Sequence, residues 1–495
     1  MIYDVIIAGA GVSGGLIARE LTKYKLSCVL LEKSGDVAMG ASKANSGIIH
    51  GGFDPEPDTL KAKLNVSGVP LLYKAAKELN VPHKNNGSMV VAFDSEQVKT
   101  LNELYERGIK NGLSATDMEI LSGEKAREIE PNLSGEVCGA LLVKNAGIIC
   151  PYYLAIAAIG NAMDNGADLK LDFEITKIEK ESGFFVVQSK AGEWVKGKYL
   201  VNCAGVFSGE IAKLAGDDYI QIIPRAGEYL LLDKTEGKTV SHTIFQVPTA
   251  NGKGILVTPT ADGNLLLGPT AAKVEDPEDT QTTPAGLSRV TSLAKKSVPN
   301  LNLGAVITSF SGVRSSEKCG DFIIGISEKV ENLINVAAID SPGLTSCVAI
   351  AEYAVDLLQK AGLKLEKNPE FNGIRKDYHA FRRMTDAEKS EVITKNPLFG
   401  RVICRCENVS EGEIVEAVKA NPSARDVDGI KRRTRAGMGR CQGGFCAPYV
   451  MRIIARERGE SMDKITKKGG SSFMVKGESQ NVDFGELLKK ESENE

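Results

Sequence analysis

Four of the ten cysteines in this 495-residue chain fall in two short segments, as Cys404-x-Cys406 and Cys441-x4-Cys446. Four thiolates so placed suit either a zinc ion or a [2Fe–2S] cluster. Structural zinc sites usually use C-x2–4-C pairs, and here one pair is tighter and the other looser. Two other residues have the chemistry of a reaction centre. His50 precedes Gly51 and Gly52 in a Gly/Ser/Asn-rich run, and an imidazole with a reference pKa near ~6.5 is the usual carrier of a proton at neutral pH. Arg314, in FSGVR, follows a strand pattern and a glycine, and its planar fork can hold a carboxylate or phosphate through two charge-assisted hydrogen bonds. His242, in SHTIFQV, is the rival base, and Arg225 and Lys318 are further cations for the same anion. Lys61 and Lys63, in TLKAKL, read equally well as a solvated helix face, while His83 and His379 fall in segments that read as surface.

The elements that must position these groups begin at the N-terminus. YDVIIA reads as a strand, Gly9-Ala10-Gly11-Val12-Ser13-Gly14 matches G-x-G-x-x-G, GLIARELTKY has helical periodicity, and CVLLE is a second strand ending in Glu32. That order is what an adenine dinucleotide requires: Gly9 for the turn, Gly11 for approach to a pyrophosphate at the helix N-terminus, Gly14 for packing, Glu32 for a ribose. The Gly/Ser/Asn-rich segment 40–53 follows, with Ser42, Ser46 and Gly47 as backbone-adjacent candidates. Two more strand–turn–helix units come at 200–212, with Ala204-Gly205 at the turn, and at 333–358, with Gly343-Leu344-Thr345 at the helix start. Three glycine-punctuated units so far apart imply a discontinuous cofactor domain, and a permanently held FAD threaded through all three accounts for them.

These pieces, with 310-FSGVRSSEKCGDF-322, resemble the D-amino-acid-oxidase-type FAD family, and within it the glycerol-3-phosphate and L-2-hydroxyglutarate dehydrogenases. The run NSGIIHGGFDPEPDTLKAKLNVSG is similar to the hydroxyglutarate branch, and the cysteine module to the anaerobic, clostridial-type glycerol-3-phosphate enzymes. The resemblance implies an α/β (α+β) fold: a Rossmann-like FAD domain (1–80, 140–215, 315–362) interleaved with a mixed or antiparallel-sheet substrate domain (81–139, 216–314). It implies that His50 lies at the flavin face and that Arg314 projects into the substrate pocket. One departure stands out: related respiratory enzymes have an arginine just after the histidine-glycine-glycine run, where this chain has Phe53-Asp54. The cysteine pattern resembles the bacterioferritin-associated-ferredoxin-like module, which carries [2Fe–2S].

The expected activity is therefore oxidation of a small anionic hydroxy compound, sn-glycerol 3-phosphate or a 2-hydroxy acid such as L-2-hydroxyglutarate. Electrons would leave through the cluster to a partner, a flavoprotein subunit or a ferredoxin-like carrier. A non-catalytic electron-transfer subunit is the rival of another class, and His50 and Arg314 argue against it. Strand patterns occur at 82–93 and 170–199, and those through most of 219–310, broken by a helix at 284–297, predict an antiparallel sheet roofing the flavin. A charged linker (363–398), the cluster domain (399–460) and a polar tail (461–495) complete the chain. In the cluster domain SEGEIVEAVKAN reads as an amphipathic helix and DVDGIKRRTRAGMGRC as turn and glycine-rich loop. The surplus of Arg425, Lys431, Arg432, Arg433, Arg435 and Arg440 over Asp426 and Asp428 suits an anionic cluster. A net charge of −3 gives no case for nucleic acid, and six scattered cysteines, absence of a leader pattern and of a long apolar run predict a cytoplasmic protein meeting a membrane only through a partner.

Overall fold

The N-terminal apolar run becomes strand Ile2–Ala8, an inner strand of an eight-stranded sheet in the computed structural model, which describes residues 1–248 and 254–477. Inner parallel strands are covered on both faces, which is why Val5 to Ala8 are all apolar and buried. Ile2–Ala8 pairs in parallel with Cys28–Leu31 on one side and Trp194–Asn202 on the other. The second half of Trp194–Asn202 also pairs with Leu333–Ala337, so the three glycine-punctuated units meet at one end of one sheet. Helices Val12–Leu21, Pro151–Asp164 and Gly343–Lys360 cover it, and Gly15 permits their closeness: a Cβ there would sit 2.6 Å from Ile159 Cγ1. Their shared core includes Leu16, Ile17, Ile156, Ile159, Ile350 and Val355.

A nine-stranded sheet is the second large sheet of the chain. Strand Ile223–Leu232 pairs antiparallel with Val306–Ser316 along ten residue pairs, from Ile223 opposite Ser316 to Leu232 opposite Val306. Helix Pro284–Ser297, begun by the Thr283 cap and a proline in its first turn, packs on the face formed by Leu230, Leu232, Leu265 and Leu267. The fold class read from the sequence is the one observed. The compact units are Met1–Asp377 and Tyr378–Glu495. Of the expected linker, residues 363–377 belong to the first unit: Asn368 N donates to Lys23 O (2.8 Å) and Arg375 N to Glu78 O (3.0 Å).

The second unit has its own core, in which Ile414, Ile430, Val450 and Ile454 pack around buried Cys404 and Cys446. Helices Asp386–Lys395 and Glu411–Lys419 each open with a capping box, Thr385/Glu388 and Ser410/Glu413. The stretch read as turn and loop instead forms helix Val427–Thr434. Asp426 caps it by accepting from Gly429 N at 2.6 Å, and buried Val427 and Ile430 give it an apolar side that the run of basic residues masks. Arg432, Arg433 and Arg435 are buried as well, and Arg433 is spent on the carbonyls of Pro422 and Gly429 (3.0 and 3.1 Å). His379, read as a surface residue, is buried with Nε2 2.8 Å from Arg433 O. The start of the polar tail is ordered: Ile465 enters the core, and Thr466 bridges to Phe473. Residues 478–495 of that tail lie outside the described residues. Among the described residues no helix is long and apolar enough to cross a membrane.

Candidate active site and cysteine centre

Gly9 adopts φ +103°, and a Cβ there would lie 2.6 Å from the Cys203 carbonyl oxygen, so the first turn admits only glycine. Gly14 packs directly over the Gly9 carbonyl. Helix Val12–Leu21 then opens with no acidic residue in its first turn, and Val12 N donates to Ser42 Oγ at 2.9 Å. A helix start with bare positive dipole, floored by glycines and edged by a serine hydroxyl, fits a pyrophosphate. Glu32 accepts from Ala10 N and Ser34 N, both at 3.0 Å, at the end of the second strand. Burial pushes its carboxyl up from the ordinary range.

The last five residues of strand Val306–Ser316 touch three glycine-bearing segments, 40–53, 200–212 and the turn before Gly343. Gly312 lies against the Ala44 carbonyl of the 40–53 segment, where no Cβ would fit. Ser315 Oγ donates to Gly205 O (3.1 Å), and Ser316 Oγ donates to Asp340 Oδ2 (3.0 Å). Next along the chain, Ser341 Oγ is 3.3 Å from His50 Nε2. His50 N donates to Thr345 Oγ1 (2.8 Å), and the imidazole lies tilted at 36° against Phe245, centroids 5.8 Å apart. Leu344 and Gly343 start the helix that carries Thr345. Ser46 Oγ reaches Tyr229 Oη at 3.4 Å, and Gly47, at φ +65°, pairs by its carbonyl with Ile149 N. Buried Asn65 Oδ1 and Ser311 Oγ have no partner within the protein, which is what side chains prepared for a large polar cofactor look like.

Arg314 sits on that strand with Nη2 donating to Thr270 O at 3.3 Å, and Gly227 leaves the space its guanidinium fills. Arg225 is directly opposite Arg314 in the ladder, on the same face but exposed. Lys318 is exposed in the turn beyond the strand and joins none of these contacts. His242 is held elsewhere: its N–H and Nδ1 both meet Glu130 Oε1, at 2.7 and 2.6 Å. Lys61 is not a solvated helix residue, since its ammonium pairs with Asp340 Oδ1 at 2.6 Å, whereas Lys63 is exposed. Phe53 is buried in an apolar cluster with Leu104 and Met118.

Sequence reading missed three asparagines. Asn65, Asn145 and Asn111 come from three different elements, and their amides donate to the successive carbonyls of His50 (3.0 Å), Gly51 (3.1 Å) and Gly52 (3.0 Å). Together they pin the loop that presents the imidazole. Nothing in their spacing signals this, because the link is made only by tertiary contact.

In the second unit the four cysteines form two pairs. Cys406 Sγ is 3.6 Å from Cys441 Sγ. The Cys446 thiol donates to the Cys404 sulfur, which brings Cys404 down to about 6 and pushes Cys446 up. Among the described residues no three His, Cys, Asp or Glu side chains converge on one ion. Two thiolate pairs suit the two irons of a [2Fe–2S] cluster better than a single tetrahedral zinc. Buried Arg435 donates to Glu407 Oε2 at 2.8 Å beside Cys406, one of the basic residues assigned to the cluster's surroundings.

Comparison with known proteins agrees with both centres. Residues 4–357 match the FAD dependent oxidoreductase family, and residues 402–456 the BFD-like [2Fe-2S] binding domain. A glycerol 3-phosphate dehydrogenase of Caloramator mitchellensis is 46% identical over 96% of this chain and 98% of its own length. An L-2-hydroxyglutarate dehydrogenase of Nematostella vectensis is 30% identical over 72% of this chain and 90% of its own. The structure of dithionite-reduced L-α-glycerophosphate oxidase from Mycoplasma pneumoniae, with FAD bound, superposes with a TM-score of 0.73 at 34% identity, covering 76% of this chain and 98% of that one. The chain thus belongs to the FAD-dependent oxidoreductase family, as an enzyme whose cofactors are FAD and, in a BFD-like domain, a [2Fe–2S] cluster.

Proposed function

We propose that this enzyme oxidises sn-glycerol 3-phosphate to dihydroxyacetone phosphate and passes the electrons to a partner protein. The carrying observation is the contact chain from Arg314's strand to His50: Ser316 to Asp340, then Ser341 to His50 Nε2. It links the strand that carries an anion-binding fork to the loop that carries a proton acceptor, the two groups that oxidation of an anionic secondary alcohol requires. Bound FAD supplies the hydride acceptor, and the [2Fe–2S] cluster supplies a one-electron outlet. Arg314 holds the phosphate in a bidentate grip. His50 Nε2 accepts the hydroxyl proton as the carbinol hydrogen leaves, with Ser341 fixing the ring from one side and Phe245 packing against it. Gly9, Gly11, Gly14, Glu32, Ser42, Gly47, Gly205 and Thr345 hold the dinucleotide. Cys404, Cys406, Cys441 and Cys446 would hold the cluster through their thiolates.

The substrate assignment is supported by the glycerol 3-phosphate relatives, one of them matched along nearly the whole chain. A 2-hydroxy acid is the second reading, favoured by buried, uncharged Phe53 where a phosphate-binding arginine would stand. Anaerobic mixing of the holoenzyme with each compound decides between them. Glycerol 3-phosphate should bleach the flavin and L-2-hydroxyglutarate should not, and the reverse result would overturn the assignment.

A further inference from the structure

The two segments that carry the cysteines, 401–406 and 435–452, contain five arginines (Arg401, Arg405, Arg435, Arg440, Arg452) and no aspartate, glutamate or lysine. Arg435 pairs with Glu407 and Arg401 with Glu411. Arg405, Arg440 and Arg452 are exposed. The cysteines are not evenly buried either. Cys404 and Cys446 lie in the core, whereas Cys406 is exposed and Cys441 half-buried, so one side of the centre faces outward.

Beside that side stand two aromatic rings that folding leaves out of the core. Phe445, next to Cys446, is 82% exposed. Tyr449, on the helix that begins there, is 54% exposed, and Arg452 lies 6.0 Å from the centre of its ring. An exposed phenylalanine gains nothing from the fold, and aromatic residues with arginine, in the absence of Lys, Glu and Asp, make up the composition of a protein–protein interface core.

We propose that Phe445, Tyr449, Arg405, Arg440 and Arg452 form the docking face for a separate, acidic-surfaced one-electron carrier protein, reduced at the Cys406/Cys441 side of the cluster. The rings supply the apolar contact and the arginines the steering, since no carboxylate in either segment would repel an acidic partner. Each docking event moves one electron and no atom, so two carriers are reduced per alcohol oxidised. This rests on the reading that electrons leave through the cluster.

The test uses the holoenzyme, reduced anaerobically with glycerol 3-phosphate and mixed with an acidic c-type cytochrome or, separately, with a basic one. The acidic cytochrome's rate should fall roughly tenfold or more as salt rises, and the basic cytochrome's should not. Phe445→Ala should cut the acidic cytochrome's rate about tenfold with flavin bleaching unchanged. Arg452→Glu, which lies outside the cysteine loops and leaves cluster loading intact, should do the same and should improve the basic cytochrome as acceptor. Wild-type rates with the acidic cytochrome in both variants would overturn the proposal. So would variants whose flavin is bleached while the cluster stays oxidised, because the face would then serve the chain's own flavin unit. If substrate leaves the wild-type cluster oxidised, the exit reading itself fails, which is a different result.

Discussion

Gly227→Ala tests the placement of Arg314 without touching it. A Cβ at residue 227 would sit 2.5 Å from Arg314 Nη2, with Pro269 Cβ at 3.0 Å and Thr270 O at 3.1 Å. Contact distances for such atoms start near ~3.5 Å, so the guanidinium must move by about 1 Å. The backbone tolerates the change, since alanine within a strand costs no more than glycine and regains roughly 0.5–1 kcal/mol of chain entropy. The flexible end of an arginine yields before the strand does. Misplacing a binding group by ~1 Å costs on the order of 100-fold in rate. We therefore expect kcat/KM for glycerol 3-phosphate to drop about 100-fold, or ~2.7 kcal/mol, with melting temperature and flavin content unchanged. Anaerobic single-turnover bleaching across substrate concentrations measures it, and the loss should appear chiefly as weaker binding. Arg314→Ala should lose roughly 2–5 kcal/mol. The double variant should be no worse than Arg314→Ala alone, because the methyl group acts only through the arginine. Full activity in Gly227→Ala, or a double variant with multiplied losses, would refute the reasoning.

Gly9→Ala should yield protein with little flavin, since both φ +103° and the Cys203 carbonyl exclude a side chain; flavin absorbance per protein after purification measures this. Asn65→Ala should cost about 1–3 kcal/mol in denaturant unfolding by removing the amide bond to the half-buried His50 carbonyl, and should slow flavin reduction by substrate, whereas the exposed Lys63→Ala should do neither. Brief alkylation of the native holoprotein should modify Cys138 and Cys319, which are exposed, and spare Cys28, whose thiol burial pushes up to about 12. Removing the iron should add Cys406 and Cys441 to the modified set, read by mass spectrometry of peptides.

What could be read from the sequence follows from how local each feature is. The dinucleotide turn was legible because three glycines, a strand on each side and a helix lie within some thirty residues, and each glycine answers a steric demand visible in the fold. The roof strands and helix Pro284–Ser297 were legible because alternation and a proline-led cap are short-range signals. Lys61 was not, since its partner Asp340 is almost three hundred residues away. The asparagine clamp escaped for the same reason: an amide that satisfies a distant carbonyl has no sequence pattern. Helix Val427–Thr434 escaped for another: buried Arg433 within it is satisfied by carbonyls and buried Arg435 at its end by a carboxylate, so residues that read as surface were structural.

The ladder between Ile223–Leu232 and Val306–Ser316 explains how two chemistries stay in step. A slip of one residue would turn every side chain of a strand to the other face. Arg314 and Ser316 share a face, while Ser315 points oppositely to Gly205. A slip would thus remove the anion grip and the Asp340 contact together and leave the Gly205 link unmade. Ten paired residues oppose this, and the one register shift, between Leu231 and Leu232, falls at the far end from Arg314. Two residues of strand span about 6.7 Å, so Arg314 and the serine that leads through Asp340 and Ser341 to His50 are held one repeat apart on a shared face. That spacing is a property of strand geometry, and the loop asparagines hold the His50–Gly52 backbone from three other points of the chain.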